Sequence, residues 1–207
     1  MPDKGPLDPG GLFARPVDDV WLEIGFGGGE HLAWQAKARP AVGLIGAEPF
    51  VDGVARLLAL LEADRLDNVR ILRGDVRPLL DVLAPRSLGR VFVLFPDPWP
   101  KVRHHKRRIV SPPVLDRLAV LMKPGAELRI ATDHPDYLCW ILRHVRAHPA
   151  FAWRVTGPDD WRRRPADWPG TRYEAKAADE GRISTYLTFL RCEDSHEAAL
   201  AGRRARH

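Results

Sequence analysis

Residues 91–108, VFVLFPDPWPKVRHHKRR, decide how the chain can fold. The five residues that open the stretch are apolar without alternation, which predicts a strand covered on both faces, as in a parallel sheet. Prolines then occupy every second position from 96 to 100; each fixes φ, removes an N–H donor and disfavours helix at the preceding residue. The sequence therefore predicts a stiff, extended loop that carries Asp97, Trp99 and Lys101 away from the edge of the sheet.

A cationic segment follows this loop directly. It contains Lys101, Arg103, Lys106, Arg107 and Arg108, with His104 and His105 between them. A carboxylate and an aromatic ring on a rigid loop, beside dense positive charge, suit a nucleic-acid base held at a reaction centre with its phosphates bound nearby. The alternative is that the prolines only stiffen a loop and the cations only form a solvated surface.

Length and composition limit the class of protein. The chain has 207 residues, which suits one domain, and its 32 Lys and Arg against 27 Asp and Glu give a net charge of +5. This excess favours a polyanionic partner. Cys139 and Cys192 form no C-x-x-C pair, so we expect no zinc site, no other metal and no disulfide framework. No apolar stretch approaches the length of a membrane span, and the N-terminus has no hydrophobic signal core, so a cytoplasmic protein is expected.

Upstream, a strand predicted at 20–24 runs into a glycine turn and then a helix at 30–36, which is the opening of a nucleotide-binding βαβ unit. Gly25 and Gly27 lie in this turn, where the absence of Cβ lets the backbone approach a ligand closely. Glu23 stands two residues before the first glycine, which is unfavourable for a pyrophosphate and suits a cationic or amine-bearing ligand. There is no Gly-Lys-Ser/Thr, so a P-loop is excluded.

Two further acids end the next two predicted strands. Glu48 follows the strand at 42–47, and Asp75 ends the strand at 68–75. Each has a structural alternative, because Glu48 precedes a helix predicted at 51–61 and Asp75 could cap a helix at 76–83. Together with Glu23 they line up at the carboxyl ends of consecutive strands, where open α/β sheets bind ligands.

The rest of the chain continues the alternation of helix and strand. Ser111 is predicted to cap a helix that reaches about residue 122, and 123–125 reads as a turn. A strand at 126–131 delivers Asp133, which could equally be the N-cap of a helix that begins there, has Pro135 near its start and continues through 137–147. We expect a strand at 151–155, a loop at 157–170, a polar segment at 171–176 and a last strand at 183–191.

The motifs LEIGFGGGEH, IGAEPF, NVRILRGD, LFPDPWPKVRHHKRR, LRIATD and TRYEAKAADEGR together resemble the bacterial tRNA (guanine-N7-)-methyltransferase family. The likeness covers about residues 20–191; its glycine motif is common to class I methyltransferases, whereas PDPWPK and T-x-Y-E are more specific. It implies an α/β, doubly wound, Rossmann-like sheet of seven strands, mostly parallel with the last strand antiparallel. It also implies S-adenosylmethionine (SAM) as methyl donor and N7 of a guanine in the variable loop of tRNA as acceptor.

The resemblance also implies roles for single residues. Asp97 matches the proposed catalytic position and also a cofactor contact. The other expected cofactor contacts are Glu23, Gly25, Gly27, Glu48 and Asp75. The expected substrate contacts are Lys101, Asp133, Thr171, Arg172, Tyr173 and Glu174. The segment expected to touch RNA consists of Arg103, His104, His105, Lys106, Arg107 and Arg108.

The domain layout is expected to have three parts. Residues 1–19 are expected to form a mobile lead-in, 20–191 the methyltransferase domain, and 192–207 a frayed basic tail with Arg203, Arg204 and Arg206.

Three rival functions stay open. They are a SAM-dependent enzyme acting on another RNA base or a protein amide, an RNA-binding protein with this fold, and a NAD-type dehydrogenase. The sequence leaves open whether the protein is a monomer or a homodimer.

Overall fold

Seven strands form one sheet in the computed structural model, which describes residues 5–193. The strands are β1 (Asp19–Ile24), β2 (Val42–Glu48), β3 (Val69–Arg73), β4 (Leu88–Leu94), β5 (Met122–Thr132), β6 (Phe151–Trp153) and β7 (Thr185–Arg191). They lie in the order β3-β2-β1-β4-β5-β7-β6. The first five pair in parallel, and β7 pairs antiparallel with both β5 and β6. The predicted fold class is confirmed.

The apolar run in β4 is buried from both sides, as its lack of alternation predicts. Val91 and Val93 belong to one core cluster, whereas Phe92 and Leu94 belong to another on the opposite face of the sheet. All four are less than 10% exposed. The two apolar layers hold β4 beside β1, so the loop after β4 emerges next to the glycine turn after β1.

Within the described residues, seven α-helices lie between the strands. They are α1 (Glu30–Ala38), α2 (Val51–Asp64), α3 (Arg77–Val82), α4 (Pro112–Leu121), α5 (Pro135–Ala147), α6 (Asp159–Arg162) and α7 (Arg172–Asp179). Short 3-10 helices lie at Pro9–Leu12 and Val102–Arg107. The strand order reverses between β1 and β4, and such a switch point opens a crevice at the carboxyl ends of the strands.

Several local expectations were wrong. Residues 123–125 continue β5 instead of turning, because Met122 already pairs with Leu88 and the register shift is absorbed as an irregularity before Arg90. The residue before α4 makes no side-chain capping bond. The loop at 157–170 contains α6, and the polar segment from 171 is α7, whose N-cap Thr171 accepts a hydrogen bond from the amide of Glu174.

The N-terminal segment is attached to the domain from Leu7 onward, whereas its composition predicts a mobile lead-in. Leu7 donates to Val82 and accepts from Ala84, so it bridges to the segment after α3. Residues 194–207, which include the three arginines of the expected tail, lie outside the described residues. Within residues 5–193, no helix combines the length and apolarity that crossing a membrane requires.

Candidate functional site

A cavity of about 500 Å³ opens at the carboxyl ends of β1 to β4. Its size lies in the usual range for small-molecule sites, roughly 300–1,000 Å³. Eight of the predicted site residues line it: five at or just after the ends of β1 to β4, two from α7, and one from the cationic segment. These eight are Gly25, Gly27, Glu48, Asp75, Asp97, Arg107, Arg172 and Tyr173.

Gly27 shows why the turn after β1 needs glycine. Its φ is +56°, a left-handed value that residues with a Cβ rarely adopt. A Cβ built there would lie 2.6 Å from the Tyr173 ring, so a side chain would also collide with α7. The turn and α7 are thus packed together as one wall of the cavity.

Glu48 is the most firmly held acid of the site. It is 4% exposed, and its two carboxylate oxygens accept hydrogen bonds from the amides of Gly27 at 2.9 Å and Phe50 at 3.0 Å. Hydrogen bonds to a charged acceptor are about twice as strong as neutral ones. Glu48 therefore ties the glycine turn to the tip of β2 and still has lone pairs available for a ligand.

Asp75 lies at the far end of the cavity, beyond β3. It is exposed, and it accepts a hydrogen bond from the Arg77 amide at 3.0 Å and pairs with the Arg77 guanidinium at 2.6 Å. Partial burial acts to raise the pKa of Asp75, but the bonds from Arg77 outweigh it and hold the pKa below its usual value. Asp75 thus bonds the first residue of α3 and also lines the cavity, and its contact with a cofactor stays a prediction.

Glu23 sits behind the glycine turn instead of in the cavity wall. It is 2% exposed, and its carboxylate lies 2.7 Å from Nδ1 of His31, which is equally buried. The other His31 ring nitrogen lies 3.1 Å from the Gln35 amide nitrogen, and that amide also donates to the Asp167 carbonyl oxygen at 2.9 Å. A direct cofactor contact for Glu23 stays a prediction; the contact observed is with His31.

The loop after β4 is built from unusual backbone. Phe95 and Trp99 both have positive φ, at 49° and 43°, which is uncommon for non-glycine residues. Between them Asp97 is exposed and lines the cavity. The Trp99 ring is half-buried in the same wall, with the Arg107 guanidinium 4.7 Å from its centroid and the His104 ring edge-on at 5.9 Å. Trp99 is therefore packed under a cation and also faces the site.

The cationic segment divides into exposed and buried residues. Four of its cations are exposed, and none of the four makes an ion pair with an acid among residues 5–193: Lys101, Arg103, Lys106 and Arg107. His104 and His105 are half-buried, and the His105 ring packs edge-on against Trp140 at 5.3 Å. Charge that no acid neutralises beside the cavity mouth fits the expected RNA contact.

Arg108 was wrongly assigned to the surface that touches RNA. Its side chain is fully buried, where it pairs with Asp136 and donates to the Pro98 carbonyl oxygen at 2.9 Å. Tyr137 and Trp140 flank the guanidinium. A side chain that is enclosed in this way cannot reach a phosphate from outside.

The remaining predicted substrate contacts are dispersed. Lys101 is exposed just outside the cavity lining, and Asp133 pairs with Arg182 at 2.6 Å, also outside it. Glu174 accepts hydrogen bonds from the Tyr186 hydroxyl at 2.5 Å and from Arg164. Burial and the bond to Glu174 raise the pKa of the Tyr186 phenol. Glu174 thus anchors α7 to β7 in this structure.

Sequence reasoning missed several residues that line the cavity or support it. Phe50, Arg56 and Arg77 line the cavity, and His31 supports Glu23. A signal existed for Phe50, because it lies two residues after the strand-end acid Glu48. A signal also existed for α7, since Thr171 followed by Glu174 matches the S/T-x-x-E capping box. Among residues 5–193, no group of three or more His, Cys, Asp or Glu side chains could hold a metal.

Comparison with known proteins adds independent findings. Residues 18–186 match the family model described as "Putative methyltransferase". The chain is 57% identical over 185 residues to the "tRNA (guanine-N(7)-)-methyltransferase" of Rhodospirillum rubrum, covering 89% of this chain and 72% of that protein. It is 53% identical to the protein of the same name from Ruegeria pomeroyi, covering 93% and 80%.

Solved structures agree on the fold. An rRNA methylase from Streptococcus thermophilus superposes with a TM-score of 0.58 at 9% identity, covering 84% of this chain and 87% of that one. A 16S rRNA (adenine(1408)-N(1))-methyltransferase mutant from Catenulisporales acidiphilia, solved with cosubstrate SAM, gives 0.58 at 15% identity, covering 86% and 88%. At these identities the likeness concerns the fold alone.

Proposed function

Because this chain belongs to the tRNA (guanine-N(7)-)-methyltransferase family, we propose that it transfers a methyl group from SAM to N7 of a guanine in tRNA. The product is N7-methylguanosine, and the family resemblance assigns it to the variable loop. The observation that carries the proposal is the cavity at the carboxyl ends of β1 to β4, with Glu48 fixed inside it and Asp97 beside the exposed cations.

The residues of the cavity fit SAM. Along the strand order, Asp75, Glu48, the glycine turn and Asp97 follow one another from β3 to β4. We assign Asp75 to the adenine amino group and Glu48 to the ribose hydroxyls, since each Glu48 oxygen keeps a free lone pair beside its bond to a backbone amide. Gly25 and Gly27 of the glycine turn, which have no Cβ, then border the methionine part, nearest β4.

The transfer asks little acid–base chemistry of the protein. When bound, SAM supplies a methyl group on a positively charged sulfur. A lone pair that attacks this methyl carbon in line displaces the sulfur as the leaving group. Guanine N7 carries an in-plane lone pair and no proton, so no general base is required. The chain's own task is to position the base and to provide a field that tolerates positive charge as it moves onto the purine.

Asp97 has the chemistry for that task. A carboxylate accepts hydrogen bonds from both N1–H and the exocyclic amino group of guanine, which orients the ring, and its negative charge stabilises a base that becomes cationic. Its exposure at the cavity rim leaves it accessible to a base entering from outside. We therefore assign Asp97 as the catalytic residue that contacts the target guanine.

The exposed cations Lys101, Arg103, Lys106 and Arg107 are proposed to bind tRNA phosphates. They follow the loop that carries Asp97, and no acid of the described chain pairs with them. Their contribution falls with rising salt, because each phosphate contact releases counterions. With tRNA as substrate, the expected site of action is the bacterial cytoplasm.

The direct test is transfer of labelled methyl from SAM to tRNA that lacks N7-methylguanine, followed by nucleoside analysis. The proposal expects label in N7-methylguanosine and in no other nucleoside. Label in another nucleoside would keep SAM as donor and overturn the acceptor. Binding of tRNA without SAM binding would favour a non-catalytic RNA-binding protein.

A further inference from the structure

Arg108 differs from every other cation of its segment. Its side chain is fully buried, although it directly follows the exposed Arg107. Its Nε donates to the Pro98 carbonyl oxygen at 2.9 Å, and one terminal nitrogen pairs with Asp136. The guanidinium carbon lies 4.9 Å from the ring centroid of Tyr137 and at the same distance from that of Trp140. Burying a charge is costly unless it is paired, so this placement requires these partners.

The bond to Pro98 acts at the strained part of the loop. The Pro98 carbonyl belongs to the same peptide unit as the amide nitrogen of Trp99, whose φ is 43°. A non-glycine residue held at such an angle is strained and persists only where the surroundings over-determine it. By fixing this carbonyl, Arg108 fixes the plane of the Pro98–Trp99 peptide, which lies between Asp97 and the Trp99 ring.

Helix α5 anchors this contact from behind. The Val110 amide donates to the Tyr137 hydroxyl at 3.2 Å, and Trp140 Nε1 donates to the Val110 carbonyl at 2.7 Å. Burial raises the pKa of Tyr137 to about 12, against the opposing effects of the Val110 bond and the Arg108 charge. The backbone two residues after Arg108 is thereby clamped to α5, which gives Arg108 a rigid base.

We propose that Arg108 is a positioning residue for methyl transfer: it holds the loop at 96–100 in the conformation that presents Asp97 and Trp99 to the target base. The inference rests on the proposed function, since it assigns Arg108 to the geometry of that reaction. Arg108 acts through the Pro98 carbonyl and contacts neither phosphate nor base. Displacement of a reacting group by about 1 Å can cost a hundredfold in rate, so loss of the Arg108 contact should lower kcat.

The informative variant is Arg108→Lys. Lysine keeps the charge beside Asp136, but its single nitrogen cannot also reproduce the Nε bond to Pro98. The matched control is Arg129→Lys, because Arg129 is also buried and ion-paired, to Glu127 and Asp167, away from the loop. Both variants should lower the melting temperature, because each changes a buried, ion-paired side chain. Only Arg108→Lys should also slow the reaction.

Four quantities are measured for each variant at a temperature where circular dichroism finds it folded: kcat at saturating SAM and tRNA, KM for tRNA, Kd for SAM, and hydrogen exchange at the four amides that the prolines leave in residues 95–101. These are the amides of Phe95, Asp97, Trp99 and Lys101. For Arg108→Lys we expect kcat to fall about tenfold to a hundredfold, with tRNA KM and SAM Kd within about twofold. Exchange in residues 95–101 becomes faster. Arg129→Lys leaves kcat and this exchange unchanged.

Other outcomes overturn the inference. A kcat within twofold of the parent means that Arg108 serves only fold stability. A raised tRNA KM with a shallower salt dependence means that it reaches RNA directly. If Arg108→Lys does not fold, Asp136→Asn decides: slower turnover with faster loop exchange supports the inference, and unchanged turnover overturns it. A parent protein that transfers no methyl to tRNA overturns the proposed function alone, and the exchange comparison still decides whether Arg108 holds the loop.

Discussion

Replacing Glu48 with Ala should weaken cofactor binding more than any exposed change near the cavity. Glu48 is buried and accepts hydrogen bonds from the amides of Gly27 and Phe50. Hydrogen bonds to a charged group contribute about 1.5–3 kcal/mol each, so the variant loses at least about 3 kcal/mol of interaction that holds the glycine turn. If that energy preorganises the SAM site, Kd for SAM rises about a hundredfold, at about 1.4 kcal/mol per tenfold.

Calorimetric titration with SAM measures this loss, and thermal unfolding measures the accompanying loss of stability. A free energy of about 3 kcal/mol lowers the melting temperature of a domain of this size by roughly 6–12 °C. Asp64→Ala is the control, because Asp64 is an exposed partner of Lys37 outside the cavity. A SAM Kd within twofold of the parent in folded Glu48→Ala would refute the reasoning, since Glu48 would then fasten the turn without serving the ligand.

Three further predictions address the base, the RNA and the ion pairs. Asp97→Ala should lower kcat at saturating SAM and tRNA about a hundredfold while SAM still binds; unchanged turnover in a rapid-quench assay would remove its catalytic role. Replacing the exposed cations Arg103, Lys106 and Arg107 with Ala should make the slope of log affinity against log salt shallower by about 2 to 3 units in filter binding. An unchanged slope would exclude phosphate contacts by these side chains. Burial acts to raise the pKa of Asp167, but its bonds from Arg129 outweigh this and hold it below the usual value near 3.9. Ionised Asp167 therefore stabilises the fold above about pH 4, and this contribution is lost as pH falls through the folded-state pKa. The unfolding free energy of Asp167→Asn, measured in urea, should therefore converge with that of the parent below about pH 4. If the difference in unfolding free energy between parent and variant grew on acidification, the downward direction of the Asp167 pKa shift would be contradicted.

The architecture was readable from the sequence because it depends on local patterns. Continuous apolar strands, a glycine turn and acids at strand ends predict a parallel sheet with a ligand crevice at the carboxyl ends of its strands. Glu48, Asp75 and Asp97 all line the cavity that the sequence predicts. These positions follow from where strands end, which a periodic pattern shows directly.

Contacts between distant segments were not readable in the same way. Nothing in the charge pattern of the segment KVRHHKRR distinguishes Arg108 from its neighbours. Its burial follows from Asp136 and Trp140, which lie 28 and 32 positions further along the chain. The partnership of Glu23 with His31 also depends on how α1 packs on the sheet. Register irregularities such as the one in β5 leave no signal in composition either.

The most direct test of the central claim uses tRNA transcribed with 7-deazaguanosine in place of guanosine. This base has a C–H at position 7 and therefore no lone pair there, while its N1–H and amino group remain for Asp97. We predict that the substituted tRNA binds with affinity close to that of ordinary tRNA and accepts no methyl group from labelled SAM. Methyl transfer to the substituted tRNA at a rate close to that of ordinary tRNA would contradict N7 as the acceptor, and with it the assigned reaction.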